Sequence, residues 1–132
     1  MEYKAYYVEE RDGVFSSSIQ SLEIPEPHDG ELLISVSYSS LNYKDALCAT
    51  GVKGVAASYP FVPGIDAVGT VAISNSDSFH EGDKVICSGY KLGMSANGGF
   101  GSLICVPADW VVHLPSAMSD FEAMSYLSLI HI

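Results

Sequence analysis

Four polar side chains of four chemistries, Asn42, Tyr43, Lys44 and Asp45, stand where an alternating strand pattern gives way to a helical one. An amide, a phenol, an amine and a carboxylate crowded at a helix start either cap that helix or face a reaction. Asp45 would orient Lys44, Asn42 or a water. The same residues also suit a plain structural task. Asn42 and Asp45 have the i, i+3 spacing of an N-cap and a first-turn acid. The two readings are compatible, because a capped helix end that faces a cleft is electrostatically useful. A second stretch, Pro63-Gly64-Ile65-Asp66-Ala67-Val68-Gly69-Thr70-Val71, brackets a strand entrance with glycines. Missing Cβ atoms there let backbone or ligand come close.

The elements that must hold these residues read mostly as strands. Tyr3 to Glu9 and Phe15 to Ile24 form a hairpin around Arg11-Asp12-Gly13, and Pro25 to Gly30 is a loop. Leu32 to Ser40 alternates apolar and polar residues, as a half-buried strand does. Asn42 to Thr50 reads as a short helix stopped by Gly51. Ala67 to Ile73, Lys84 to Cys87, Gly101 to Val106 and Trp110 to His113 are further strands, in the rhythm of a β-barrel or sandwich. Ser119 and Glu122 form a capping box that launches a second helix, expected to bury Phe121 and Met124. The glycine-rich run from Gly89 to Gly101 lacks the third glycine and the following helix of a phosphate loop, so it reads as a rim loop or hairpin connection. Trp110 is expected in the core or at a barrel edge, and Tyr38, Tyr43, Tyr59 and Phe61 either line a cleft or pack as core.

The 132 residues suffice for one domain with a proper core. Sixteen acidic against six basic residues give a net charge of −10, which repels phosphate backbones and argues against nucleic acid. No apolar run approaches the ~20 residues of a membrane span, and Met1-Glu2-Tyr3-Lys4 does not open a signal peptide. Cys48, Cys87 and Cys105 lie far apart in apolar surroundings, which suits reduced, buried thiols and a cytoplasmic location.

Four motifs in order resemble the medium-chain dehydrogenase/reductase family. Pro63-Gly64-Ile65-Asp66 is similar to its Gly-His-Glu signature, with Ile65 at the histidine and Asp66 at the glutamate. Asn42-Tyr43-Lys44-Asp45 occupies the slot where zinc alcohol dehydrogenases carry Cys and, three residues on, Asp. Gly82-Asp83-Lys84-Val85 and Gly98-Gly99-Phe100-Gly101-Ser102 match its later strand entrances, and the capping box lies where a helix departs for the cofactor domain. Asn-Tyr-Lys-Asp, Pro-Gly-Ile-Asp and Asp109-Trp110-Val111-Val112 together look like the YhdH/YhfP-type branch of quinone oxidoreductases and acrylyl-CoA reductases.

The resemblance implies a mainly β chain with short helices, a GroES-like β-barrel over residues 1–126, with the Rossmann domain absent. It implies NADPH as cofactor, Tyr43 beside the nicotinamide, Asn42, Tyr43 and Asp45 as catalytic groups, and Lys44, Ile65 and Asp66 along the substrate cleft. Two of the family's three zinc-ligand positions hold Asn42 and Ile65. Isoleucine cannot ligate and a neutral amide ligates zinc poorly, so no metal is expected, and His28, His80 and His113 read as rim or loop residues. Hydride addition to an enone, unsaturated thioester or quinone does not need one, since hydrogen-bond donors can hold the resulting oxyanion. The expected substrate is an enoyl-CoA or a quinone. Few bases, Lys4, Arg11, Lys44, Lys53, Lys84 and Lys91, serve a CoA phosphate. The full-length protein is expected to be a homodimer.

Leu127-Ser128-Leu129-Ile130-His131-Ile132 is the in-frame reading of CTGTCTCTTATACACATC, the end of a transposase adapter, so residues 127–132 are expected to be a non-native tail on an N-terminal fragment. Such a fragment alone would show no turnover. The rival expectation is a free-standing GroES-like binding module without redox activity.

Overall fold

Seven strands and two helices make up the computed structural model, which describes residues 1–52, 59–94 and 96–130. Lys53, Ser95, His131 and Ile132 lie outside the described residues. β1 (Glu2–Arg11) and β2 (Val14–Glu23) form an antiparallel hairpin. Asp12 and Gly13 turn it with φ of 53° and 79°, the left-handed pair that matches the twist of flanking strands.

The second sheet has the order β6-β3-β4-β5-β7, antiparallel throughout. It comprises β3 (Glu31–Tyr38), β4 (Asp66–Ser74), β5 (Lys84–Ser88), β6 (Leu103–Pro107) and β7 (Val111–His113). Alternate residues of these strands, Leu32 and Ile34, Ala67 and Val71, Val85 and Cys87, Ile104 and Val106, meet in the main core. Trp110 packs half-buried against that core and stacks on Tyr90, 5.8 Å between ring centroids.

The hairpin is tied to the sheet region by backbone contacts. Val8 and Phe61 exchange hydrogen bonds at 3.0 and 3.1 Å, and the Tyr6 N–H donates to Phe100 O at 2.8 Å. The sheet and the hairpin thus curl into a half-barrel, mostly strand with two α-helices.

The glycine-rich run, expected as a rim loop or a hairpin connection, links β5 to β6 and packs inward. Gly93, Gly98 and Gly99 are buried, and the Gly98 and Gly99 N–H groups donate to Val62 O and Gly64 O at 2.7 and 2.9 Å. A Cβ on Gly98 would sit 2.2 Å from Gly64 O, so the run is a close backbone crossing. Gly69 likewise lets the Ser35 carbonyl come within 2.0 Å of where its Cβ would stand. Backbone, rather than ligand, fills the space left by these glycines.

α1 (Tyr43–Thr50) ends at Gly51, whose φ of 83° permits the left-handed cap. α2 (Asp120–Ile130) starts at the expected capping box: Ser119 N–H donates to Glu122 Oε1 at 3.2 Å and Glu122 N–H to Ser119 Oγ at 3.1 Å. Its helical backbone runs on through Leu127–Ile130, beyond the two turns expected of it. Met124 is buried as expected, together with Ala123, against Val68 of β4. Phe121 is not. It lies on the flank of that face, 66% exposed, and meets Tyr38 edge-on at 5.9 Å. No helix among the described residues is long and apolar enough to cross a membrane.

Candidate functional site

β3 leads through Ser39-Ser40-Leu41 to Asn42, the N-cap of α1, whose backbone is extended (φ −122°, ψ 161°). Its own N–H donates to Asp45 Oδ2 at 2.8 Å, and Asp45 Oδ1 accepts the Ile65 N–H at 3.0 Å. Asp45 therefore caps the helix and fastens it to the entrance of β4. Burial pushes its carboxyl above the usual range, the Asn42 and Ile65 N–H groups draw it back, and the charge of Asp66 pushes it up again.

Asp66, wholly buried, gathers the other polar groups. Ser40 Oγ donates to Asp66 Oδ2 at 2.7 Å, Asn42 Nδ2 to the same oxygen at 3.0 Å, and Ser88 Oγ to Asp66 Oδ1 at 2.6 Å. Asn42 Nδ2 also reaches Ser40 Oγ at 3.1 Å. The Asn42 amide, singled out from the sequence as a donor, is thus directed onto Asp66 and Ser40. A buried carboxylate without donors costs several kcal/mol, on the order of the penalty for any bare buried charge, and the amide is spent on meeting that need. Ile65 (3% exposed), just before β4, and Asp66 (0%), its first residue, are both buried, and neither lines the two clefts described below.

Tyr43 and Lys44, by contrast, are exposed, the tyrosine ring at 76%. They are the first two helical residues, where backbone N–H groups lack intrahelical partners and the helix carries its positive end. Two clefts adjoin this helix start and share Leu41. One, of about 550 Å³, is lined by Tyr38, Ser39, Ser40, Leu41, Phe121, Met124 and Ser125. The other, about 480 Å³ and nearly all apolar, is lined by Tyr6, Leu41, Asp45, Ala46, Ala49, Thr50 and Phe100. Of the four aromatics singled out from the sequence, Tyr59 and Phe61 pack together, Tyr38 lines a cleft, and Tyr43 stands free at the helix start.

Sequence reasoning missed Ser40 and Ser88. The signal for Ser88 was present only as register, since Asp66 opens β4 directly opposite Ser88 at the end of β5. Cys48 and Cys87 are buried, Cys105 is half-buried, and all three thiols are free. Burial raises the Cys87 and Cys105 thiols to about 12 and about 11. Among the described residues no cluster of three or more His, Cys, Asp or Glu has metal-ligand geometry. His113 stacks on Phe79 at 4.5 Å instead.

Residues 28–116 match the model of the alcohol dehydrogenase GroES-like domain. YhfP of Bacillus subtilis, named as a quinone oxidoreductase, is 48% identical over 100 residues, 76% of this chain and 30% of its own. The acrylyl-CoA reductase AcuI of Ruegeria pomeroyi is 37% identical over 117 residues, 89% of this chain and 36% of its own. The YhdH oxidoreductase of Salmonella enterica, solved with NADP, superposes with a TM-score of 0.86 at 39% identity, over 92% of this chain and 37% of that one. Bacillus subtilis YhfP with NAD bound gives a TM-score of 0.89 at 38% identity, over 96% and 38%. The chain spans about a third of the length of the relatives it matches.

Proposed function

Because the chain belongs to the alcohol dehydrogenase GroES-like domain family, in the branch of quinone oxidoreductases and acrylyl-CoA reductases, we propose that residues 1–126 are the substrate-side domain of an NADPH-dependent, metal-free reductase. Its substrate would be an activated alkene such as an enoyl thioester, or a quinone. Residues 127–132 would be a non-native tail.

One observation carries this reading: the exposed Tyr43 ring stands at the N-terminus of α1, two residues after Leu41, which lines two clefts. NADPH, when bound, supplies the hydride. The residues present fit its nicotinamide end, since Tyr43 offers a flat, accessible face. No glycine-rich turn opening into a helix is found among the described residues, so the pyrophosphate would be held elsewhere in the complete protein. The apolar cleft against Ala46, Ala49 and Phe100 would hold the alkene and exclude water. The Tyr43 hydroxyl, the Lys44 ammonium and the positive end of α1 would steady the negative charge that gathers on the carbonyl oxygen. Asn42 and Asp45 would act by position, holding the helix start in place.

The donor set supports the metal-free part. The Asn42 amide is engaged with Asp66 and Ser40, and Ile65 offers only carbon. The exposed side chains of Tyr38, Leu41 and Phe121 on one face favour a domain that packs on a neighbour over a free-standing module. The test is NADPH consumption by the complete protein with acryloyl-CoA and with benzoquinone, beside the 132-residue chain alone. Turnover by the complete protein and none by the chain is expected. Inertness of the complete protein toward both substrates would reject the reading.

A further inference from the structure

We propose that Ser88 is a positioning residue of the reaction face, acting through Asp66 on Asn42 and thereby on Tyr43. The inference rests on the reductase reading above but concerns Ser88, which none of the motifs includes.

Ser88 closes β5 opposite Asp66, which opens β4, and its hydroxyl donates to Asp66 Oδ1 at 2.6 Å. A carboxylate is planar, so fixing one oxygen fixes the direction of the other. Asp66 Oδ2 is thereby aimed at Ser40 Oγ, 2.7 Å away, and at Asn42 Nδ2, 3.0 Å away. Asn42 Nδ2 also donates to Ser40 Oγ at 3.1 Å, which closes a triangle around Oδ2. One buried carboxylate thus clamps the end of β5, the turn after β3 and the N-cap of α1. Hydrogen bonds to an ionised group are the short and strong ones, and those to Asp66 lie at 2.6 to 3.0 Å.

Tyr43 follows Asn42 directly and has little packing of its own, being 76% exposed. Its ring is held in place chiefly by the helix start. Removing the Ser88 hydroxyl takes the 2.6 Å contact from Asp66 Oδ1, so the carboxyl plane is less tightly set, the triangle at Oδ2 loosens and the N-cap shifts. A merely structural hydroxyl would lower stability and leave the rate of folded enzyme unchanged.

The experiment compares Ser88→Ala and Ser88→Thr in the complete protein by kcat, by KM for the alkene, by thermal midpoint, and by NMR of ring-labelled tyrosine. Misplaced reacting groups cost roughly tenfold to a hundredfold in rate, so Ser88→Ala should lose kcat by about that factor with little change in KM, and Ser88→Thr should recover most of the loss. The Tyr43 ring signal should move in Ser88→Ala. A Ser88→Ala enzyme with wild-type kcat, or an unmoved Tyr43 signal, overturns the proposal. Should the wild type reduce neither alkene nor quinone, the reductase reading fails, and the tyrosine spectrum still decides the positioning claim.

Discussion

Ser88 and Asp66 face each other in register across β5 and β4, hydroxyl to carboxylate at 2.6 Å. The pair anchors the Ser40 hydroxyl and the Asn42 amide ahead of α1, because the second Asp66 oxygen accepts from both. On the proposal above, the stability of the fold and the placement of Tyr43 would depend on the same buried carboxyl group.

Replacing Asp66 by alanine takes the acceptor from the buried Ser40 hydroxyl and the half-buried Ser88 hydroxyl, and leaves the Asn42 amide only its contacts to Ser40. An orphaned buried donor costs about 1–3 kcal/mol, so urea unfolding of the chain should show a loss of roughly 2 kcal/mol or more. A loss under about 1 kcal/mol would mean that water or relaxation replaces the carboxylate with ease.

Tyr43 should behave in the opposite way. Its exposure predicts that Tyr43→Phe changes stability by less than about 0.5 kcal/mol. Loss of a donor to a developing oxyanion costs on the order of 10²-fold in kcat, which steady-state kinetics of the complete protein would reveal.

Two glycines give a paired test of the backbone crossing. Gly98→Ala would place a methyl 2.2 Å from Gly64 O, a clash with backbone that side-chain motion cannot relieve. Gly82→Ala meets nothing within 4 Å and suffers only its left-handed φ of 91°. Thermal melts should show Gly82→Ala losing about 1–2 kcal/mol and Gly98→Ala losing more than about 3 kcal/mol, or failing to fold.

Acid should act through Asp120. The hydrogen bond from Lys84 Nζ, at 2.9 Å, holds its carboxyl below the usual range. A lowered folded pKa gives stability that is present above the unfolded value, about 3.9, and is lost as pH falls through the folded one. Asp120→Asn should therefore lower the midpoint at neutral pH and converge with wild type at low pH. Lys84 is half exposed, so the difference stays below about 1 kcal/mol. Asp45 runs the other way: burial raises its pKa, so its contribution is present below the unfolded value and lost as pH rises through the folded one. Identical pH profiles for wild type and Asp120→Asn would contradict the assignment.

The local features of the fold were legible because their chemistry is local. Asp12-Gly13 announces a left-handed turn, Ser119 and Glu122 announce a helix start, and alternation marks β3. The inward set of Asn42 was not legible, because it answers to Asp66, 24 residues further along the chain. Capping spacing showed that Asn42 and Asp45 belong to a helix N-terminus, and only the packing of β4 shows which of their atoms remain free. The inward packing of the glycine run was hidden for the same reason. Glycines read as freedom in sequence, yet Gly93 and Gly98 are glycines because another backbone occupies their Cβ space. Phe121 was assigned inward on hydrophobicity, while Ala123 and Met124 hold the face toward Val68.

The central claim is hydride transfer at a face steadied by side chains and a helix end, with no metal. Its most direct measurement is NADPH consumption by the complete protein with acryloyl-CoA or benzoquinone, before and after exhaustive chelation. Equal rates in the two states, from protein with no stoichiometric zinc, are predicted. A rate abolished by the chelator and restored by added zinc would contradict the account.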